Sequence, residues 1–127
     1  MGGLTEHEID EIEQALGLPL PSDVREQYRR SNGLLGPTDC RLLYTYKQSP
    51  ESDILHNNAI RSDDWFPSFF KSVVLFGNDG CGNNICYDCV SREAFLWNAA
   101  DGDYVQERRT TVKEIWACIE AQYASES

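Results

Sequence analysis

The residues with the most chemical potential in this chain lie between positions 72 and 90, SVVLFGNDGCGNNICYDCV. Three thiols, Cys81, Cys86 and Cys89, stand in or beside a glycine-rich loop that runs from Gly77 to Asn84. Cys86 and Cys89 form a CxxC, a spacing that chelates zinc or closes a redox disulfide when a tight turn brings the sulfurs together. Here the surrounding residues, Ile85-Cys86-Tyr87-Asp88-Cys89, read as a strand. Positions three apart on a strand point to opposite faces and lie ~10 Å apart, at about 3.3 Å per residue. Neither a disulfide nor a shared zinc spans that geometry. Cys40, Cys118, His7 and His56 are scattered, with no second CxxC and no HxxxH. The sequence therefore predicts free, mostly buried thiols, with no metal and no cofactor.

The glycine loop suggests phosphate binding, which requires a strand, a glycine turn and then a helix whose N–H groups converge on the anion. This loop leads instead into Ile85-Cys86-Tyr87, lacks GK[ST], and carries Asp79, which repels phosphate. Its glycines read as turn residues that accept positive φ. A cysteine nucleophile would need a histidine brought to it by the fold, and only His7 and His56 are present. The acid pairs Asp63-Asp64 and Asp101/Asp103 lie in turn-like segments with no apolar pocket indicated around them. No catalytic constellation emerges, and the chain reads as a non-enzyme.

The elements that must position these residues follow from periodicity. Val73-Val74-Leu75-Phe76 and Ile85 to Cys89 predict adjacent antiparallel strands near the middle of a sheet, joined by a long loop. At the N-terminus, Thr5 and Glu8 form a capping box, Leu4 and Ile9 a hydrophobic staple, and Ile9, Ile12 and Leu16 recur at helical spacing until Gly17. Leu18-Pro19-Leu20-Pro21 is an extended elbow. A second helix, capped by Ser22, carries Val24 and Tyr28 and places Arg25, Arg29 and Arg30 within reach of the first helix's acids. Cys40, Leu42, Tyr44 and Tyr46 alternate with Arg41, Thr45 and Lys47, as in a half-buried strand. Residues 53–60 hold a helical turn or two. Ala94 to Trp97 and Tyr104 to Glu107 are strands about an Asp101-Gly102 turn, and Thr111 with Glu114 caps a last helix bearing Val112, Ile115, Trp116, Ile119 and Tyr123. Strands clustered mid-chain between helices predict an α+β fold. It is a single domain over residues 1–127, with one layer of helices on one face of a mostly antiparallel sheet.

Charge narrows the function classes. The 127 residues include 21 acids and 11 bases, a net charge of −10. Direct binding of nucleic acid or of an anionic membrane depends on Lys and Arg, so neither is expected. The charge is compatible with a basic protein partner, and solubility alone also accounts for it. No apolar run approaches the ~20 residues of a membrane span, and acids begin at Glu6, before a signal peptide could form. Five cysteines, an odd number, fit a reducing, cytoplasmic setting.

Taken together, several motifs resemble the SUKH superfamily, also called Smi/Knr. They are an amphipathic opening helix, Leu16-Gly17-Leu18-Pro19-Leu20-Pro21, then Tyr28 and Asn32-Gly33. Phe76-Gly77-Asn78-Asp79-Gly80-Cys81-Gly82, Ile85-Cys86-Tyr87-Asp88 and the closing helix with Trp116 complete the set. The resemblance spans about Leu4 to Tyr123. It implies an α+β binding domain without shared catalytic residues. Many bacterial members resemble immunity proteins that bind secreted polymorphic toxins, often nucleases, while eukaryotic members are regulators of cell-wall synthesis and other interaction modules. On this resemblance the chain is expected to be an immunity protein that neutralises a basic toxin domain, or else a regulatory adaptor for an endogenous protein. The expected contact surface is Asp63, Asp64 and Trp65 with Asp79, Asp101 and Asp103, all in predicted loops.

Overall fold

The computed structural model of the chain describes residues 2–63, 71–80, 82–98 and 105–126. Helix α1, Glu6–Leu16, begins at the capping box: Glu8 N–H donates to Thr5 Oγ1, and Thr5 N–H donates to the Glu8 carboxylate. It ends at Gly17, whose φ of 74° is the left-handed conformation that a Cβ disfavours. Helix α2, Ser22–Arg30, starts one residue earlier than the sequence suggests. Pro21 is its N-cap, and the Pro21 carbonyl accepts from Val24 and Arg25. Asp23 in the first turn complements the helix dipole, and its carboxylate accepts from the backbone of Val24 and of Lys113. The expected inter-helix pairing is present for two of the three arginines. Arg25 reaches Glu6, Asp10 and Glu13, and Arg29 reaches Glu6, whereas Arg30 pairs within α2 with Glu26.

Strands β1, Leu34–Leu35, and β2, Arg41–Leu43, form a small antiparallel sheet. A four-stranded antiparallel sheet follows in the order β3-β4-β5-β6, from β3, Val73–Asn78, β4, Asn83–Asp88, β5, Glu93–Asn98, and β6, Val105–Arg109. Between β2 and β3 lies the short helix α3, Ile54–Asn58, capped by Asp53. Helix α4, Val112–Glu126, closes the chain, with Thr111 and Glu114 bonded reciprocally at its start.

The central hairpin is β3–β4, antiparallel as expected, but only β4 is interior to the four-stranded sheet. Strand β3 is a terminal strand whose outer edge is satisfied locally. Asn58 of α3 donates to the Leu75 carbonyl and accepts from Leu75 N–H, both at 2.8–2.9 Å. A bulge at Phe76 shifts the register to β4, and the Phe76 carbonyl accepts from Tyr44 N–H instead. An edge covered in this way offers no template for another strand. The Tyr44 bond also explains why the expected strand over positions 40–46 shortens to three residues. Cys40, Leu42, Tyr44 and Tyr46 are buried as the alternation requires, but Leu43 is buried too, and Thr45 turns to bond Ser52 and Ile54.

The main core lies on the helical face of the sheet. It joins Ile9, Ile12 and Leu16 of α1 to Ile115, Trp116 and Ile119 of α4 over Val74, Phe76, Ile85 and Leu96. The expectation of a single covered face needs correction. Val73, Leu75, Cys86, Phe95 and Trp97 form a second buried cluster on the opposite face, against which Ile60 packs. The runs Val73-Val74-Leu75-Phe76 and Ala94-Phe95-Leu96-Trp97 are unbroken apolar stretches, the pattern of strands buried on both faces.

Candidate functional site

The hairpin loop draws its shape from its own side chains. Asn78 Oδ1 accepts from Gly80 N–H, Asp79 N–H donates to the Asn83 carbonyl, and Asp79 Oδ1 accepts from Asn83 N–H at 3.2 Å. Asp79 Oδ2 accepts from Asn83 Nδ2 at 2.8 Å, and the Tyr123 hydroxyl of α4 donates to the Asp79 carbonyl. Gly80 and Gly82 have φ of 78° and 95°, the left-handed turn positions their residue type suggests. Asp79 is only 5% exposed. Its carboxylate closes the loop that β3 and β4 require, rather than standing at an exposed rim. Composition could not reveal this, because an Asp in a polar loop has the same sequence signature whether it faces water or its own backbone.

Of the other five residues expected to meet a partner, Asp63 is described. It caps the 3-10 turn Ala59–Ser62 and is exposed. Asp64, Trp65, Asp101 and Asp103 lie outside the described residues, as do Phe66, Phe69, Phe70, Cys81 and the Asp101-Gly102 turn.

The acidic face of α1 is partly neutralised from within. The Arg29 guanidinium hydrogen-bonds Glu6, and with Arg25 it holds that carboxyl below its ordinary pKa. Arg25 Nη1 lies 2.9 Å from Glu13 and Nη2 3.2 Å from Asp10. The thiols separate as strand geometry dictates: Cys86 is in the cluster on one face and Cys89 packs against the core on the other. Burial pushes both thiols up, Cys86 well above its ordinary value, away from the thiolate form that nucleophilic or metal chemistry needs. Among the described residues, no group of three or more His, Cys, Asp or Glu side chains gathers where a metal ion could sit. His7 and His56 are both exposed, His7 beside Glu11 and His56 in α3.

The described residues also shape concavities, among them one of about 390 Å³ beside Asp10, Glu13 and Gly17 at the end of α1. A groove of about 240 Å³ runs between α2 and α4, floored by Trp116 and Leu34 and rimmed by charges of both signs. Its Trp116 is structural, since the indole N–H donates to the Leu42 carbonyl at 2.7 Å. A cleft of about 390 Å³ opens between the end of α1 and α3, and Arg61 forms part of its wall. Sequence reasoning missed Arg61, because one arginine in a polar segment carries no signal until the fold half-buries it.

No helix among the described residues is long and apolar enough to cross a membrane. No curated protein matches the chain. Residues 3–121, from just before the α1 capping box into α4, match the profile of the SMI1 / KNR4 family (SUKH-1), and the chain belongs to that family, whose membership points to an immunity or regulatory protein.

Proposed function

We propose that this chain is a cytoplasmic, non-enzymatic immunity protein that neutralises a basic, nuclease-type polymorphic toxin domain by binding it directly. The observation that carries the reading is the net charge of −10 on a SUKH-1 chain. Complementary charge draws a basic domain in at rates above neutral encounter and fixes its orientation. The contact surface in this reading is made of loop residues: exposed Asp63, with Asp64, Asp101 and Asp103 as rim charges and Trp65 as the apolar anchor. Asp79 contributes by holding the neighbouring loop in shape.

The test is co-expression with basic, nuclease-type toxin domains, scored by survival of the host and by recovery of a stoichiometric complex. Rescue that is lost when association is abolished supports the reading. If no basic domain is bound, while an endogenous neutral or acidic protein co-purifies, the adaptor function replaces it.

A further inference from the structure

Arg61 is a half-buried charge that no carboxylate among the described residues pairs with, and the Cys89 thiol is the ionisable group beside it. It lies in the 3-10 turn after α3, where Nη1 donates to the Leu16 carbonyl at the end of α1 (3.2 Å) and Nη2 to the Lys71 carbonyl (3.3 Å). Its Nε is buried and has no hydrogen-bond partner. Among the described residues Arg25 holds three carboxylates, Arg29 two, and Arg30 and Arg108 one each; Arg41 and Arg92 have none either, but only Arg61 has a buried guanidinium nitrogen left without a partner. That contrast occurs in a chain with almost twice as many acids as bases. A guanidinium does not discharge in a protein, so partial burial without an anion is unfavourable. Burial duly draws its pKa below the ordinary value.

The surroundings say what would relieve this. The cleft beside Arg61 is walled by Ala15 and Leu16 of α1 and Leu55 and Asn58 of α3, and its volume of about 390 Å³ admits a side chain. A planar carboxylate matches the guanidinium fork, and two carbonyl bonds leave donors of the five N–H groups unused. The field of a chain carrying −10 repels free anions and nucleic acid. A carboxylate set among basic residues on a protein arrives by the attraction of its neighbours. Asp63, two residues on and exposed, would meet those neighbours.

We propose that the α1–α3 cleft receives an Asp or Glu side chain from a basic protein partner, with Arg61 as its counter-charge. This deepens the immunity reading and rests on it for the identity of the partner. The cleft then sets specificity: a basic domain lacking that acid is attracted but not held, because the buried cation stays unpaired.

The probes are two basic peptides, one with a single central glutamate and one with glutamine in its place, titrated into isotope-labelled protein. The glutamate peptide should shift the Arg61 Nε–H and Asn58 side-chain resonances and bind at least tenfold more tightly. Arg61→Gln should abolish the difference between the peptides. Ala59→Leu narrows the cleft and leaves the guanidinium untouched; it should weaken the glutamate peptide, and it decides the matter if Arg61→Gln does not fold. Equal binding of the two peptides, or discrimination that survives both substitutions, overturns the proposal. A basic domain bound equally by wild type and Arg61→Gln also overturns it, and leaves the immunity reading standing. Peptide discrimination without any basic domain bound overturns the immunity reading and keeps the carboxylate site.

Discussion

At the scale of single residues, the glycines of the central hairpin serve different physical needs. Gly80 and Gly82 are required for their backbone conformation, and around Gly82 a Cβ meets nothing nearer than Asn98 Nδ2 at 4.0 Å. Gly77 is different. A Cβ there would come within 2.5 Å of the Leu42 carbonyl oxygen and would also clash with the Arg41 carbonyl. This glycine lets β2 lie directly on β3, so that Phe76 can accept from Tyr44. Gly82→Ala should therefore cost only the left-handed strain, ~1 kcal/mol. Gly77→Ala must push two backbones apart and should cost about 3 kcal/mol or more. Urea unfolding of the two variants checks the ranking, and equal midpoints would contradict it.

At the scale of elements, turns and helix starts are held by side chains that accept from backbone N–H. The β4–β5 turn is one case. Asp88 Oδ1 accepts from the Ser72 hydroxyl at 2.7 Å and from the N–H of Val90 and Ser91. Burial alone would raise the Asp88 pKa, but these donors outweigh it and the net shift is downward. A carboxyl whose folded pKa lies below its unfolded value stabilises the protein above the unfolded value, about 3.9 for Asp. That contribution is lost as pH falls through the folded pKa, because the protonated form gives up an acceptor. Asp88→Ala should thus lower stability at neutral pH and flatten its decline below about pH 4. Melting curves from pH 2 to 7 give the comparison, and parallel profiles for variant and wild type would contradict this role.

At the scale of the whole molecule, the proposed association rests on 21 acids against 11 bases. Exposed charge acts mainly on the rate of encounter, and a desolvated aromatic acts mainly on the lifetime of the complex. With a cognate basic domain, Asp63→Lys should slow association severalfold and flatten its dependence on salt. Trp65→Ala should leave the association rate near wild type and speed dissociation at least tenfold, equivalent to about 1.4 kcal/mol. Stopped-flow kinetics at two ionic strengths separates the two effects. An association rate that is indifferent to salt in the wild type would remove steering from the mechanism.

Whatever depends on neighbours along the chain was legible before folding. The α1 and α4 capping boxes, the Gly17 stop, the β3–β4 hairpin and the opposite-facing Cys86 and Cys89 are local consequences of residue type and period. The α+β class and the resemblance to the SUKH superfamily follow from the order of those local signals. Tertiary structure alone decided what depends on approach between distant segments. It placed Gly77 under the backbone of β2, and it moved β3 to the end of the sheet with Asn58 along its edge. It also covered the second face of the sheet. It turned Asp79 inward, where its carboxylate accepts from the backbone and side-chain N–H of Asn83. It left Arg61 half-buried beside a cleft. Burial is a property of the assembled chain, so a charge acquires an unmet need only after the fold has removed its water.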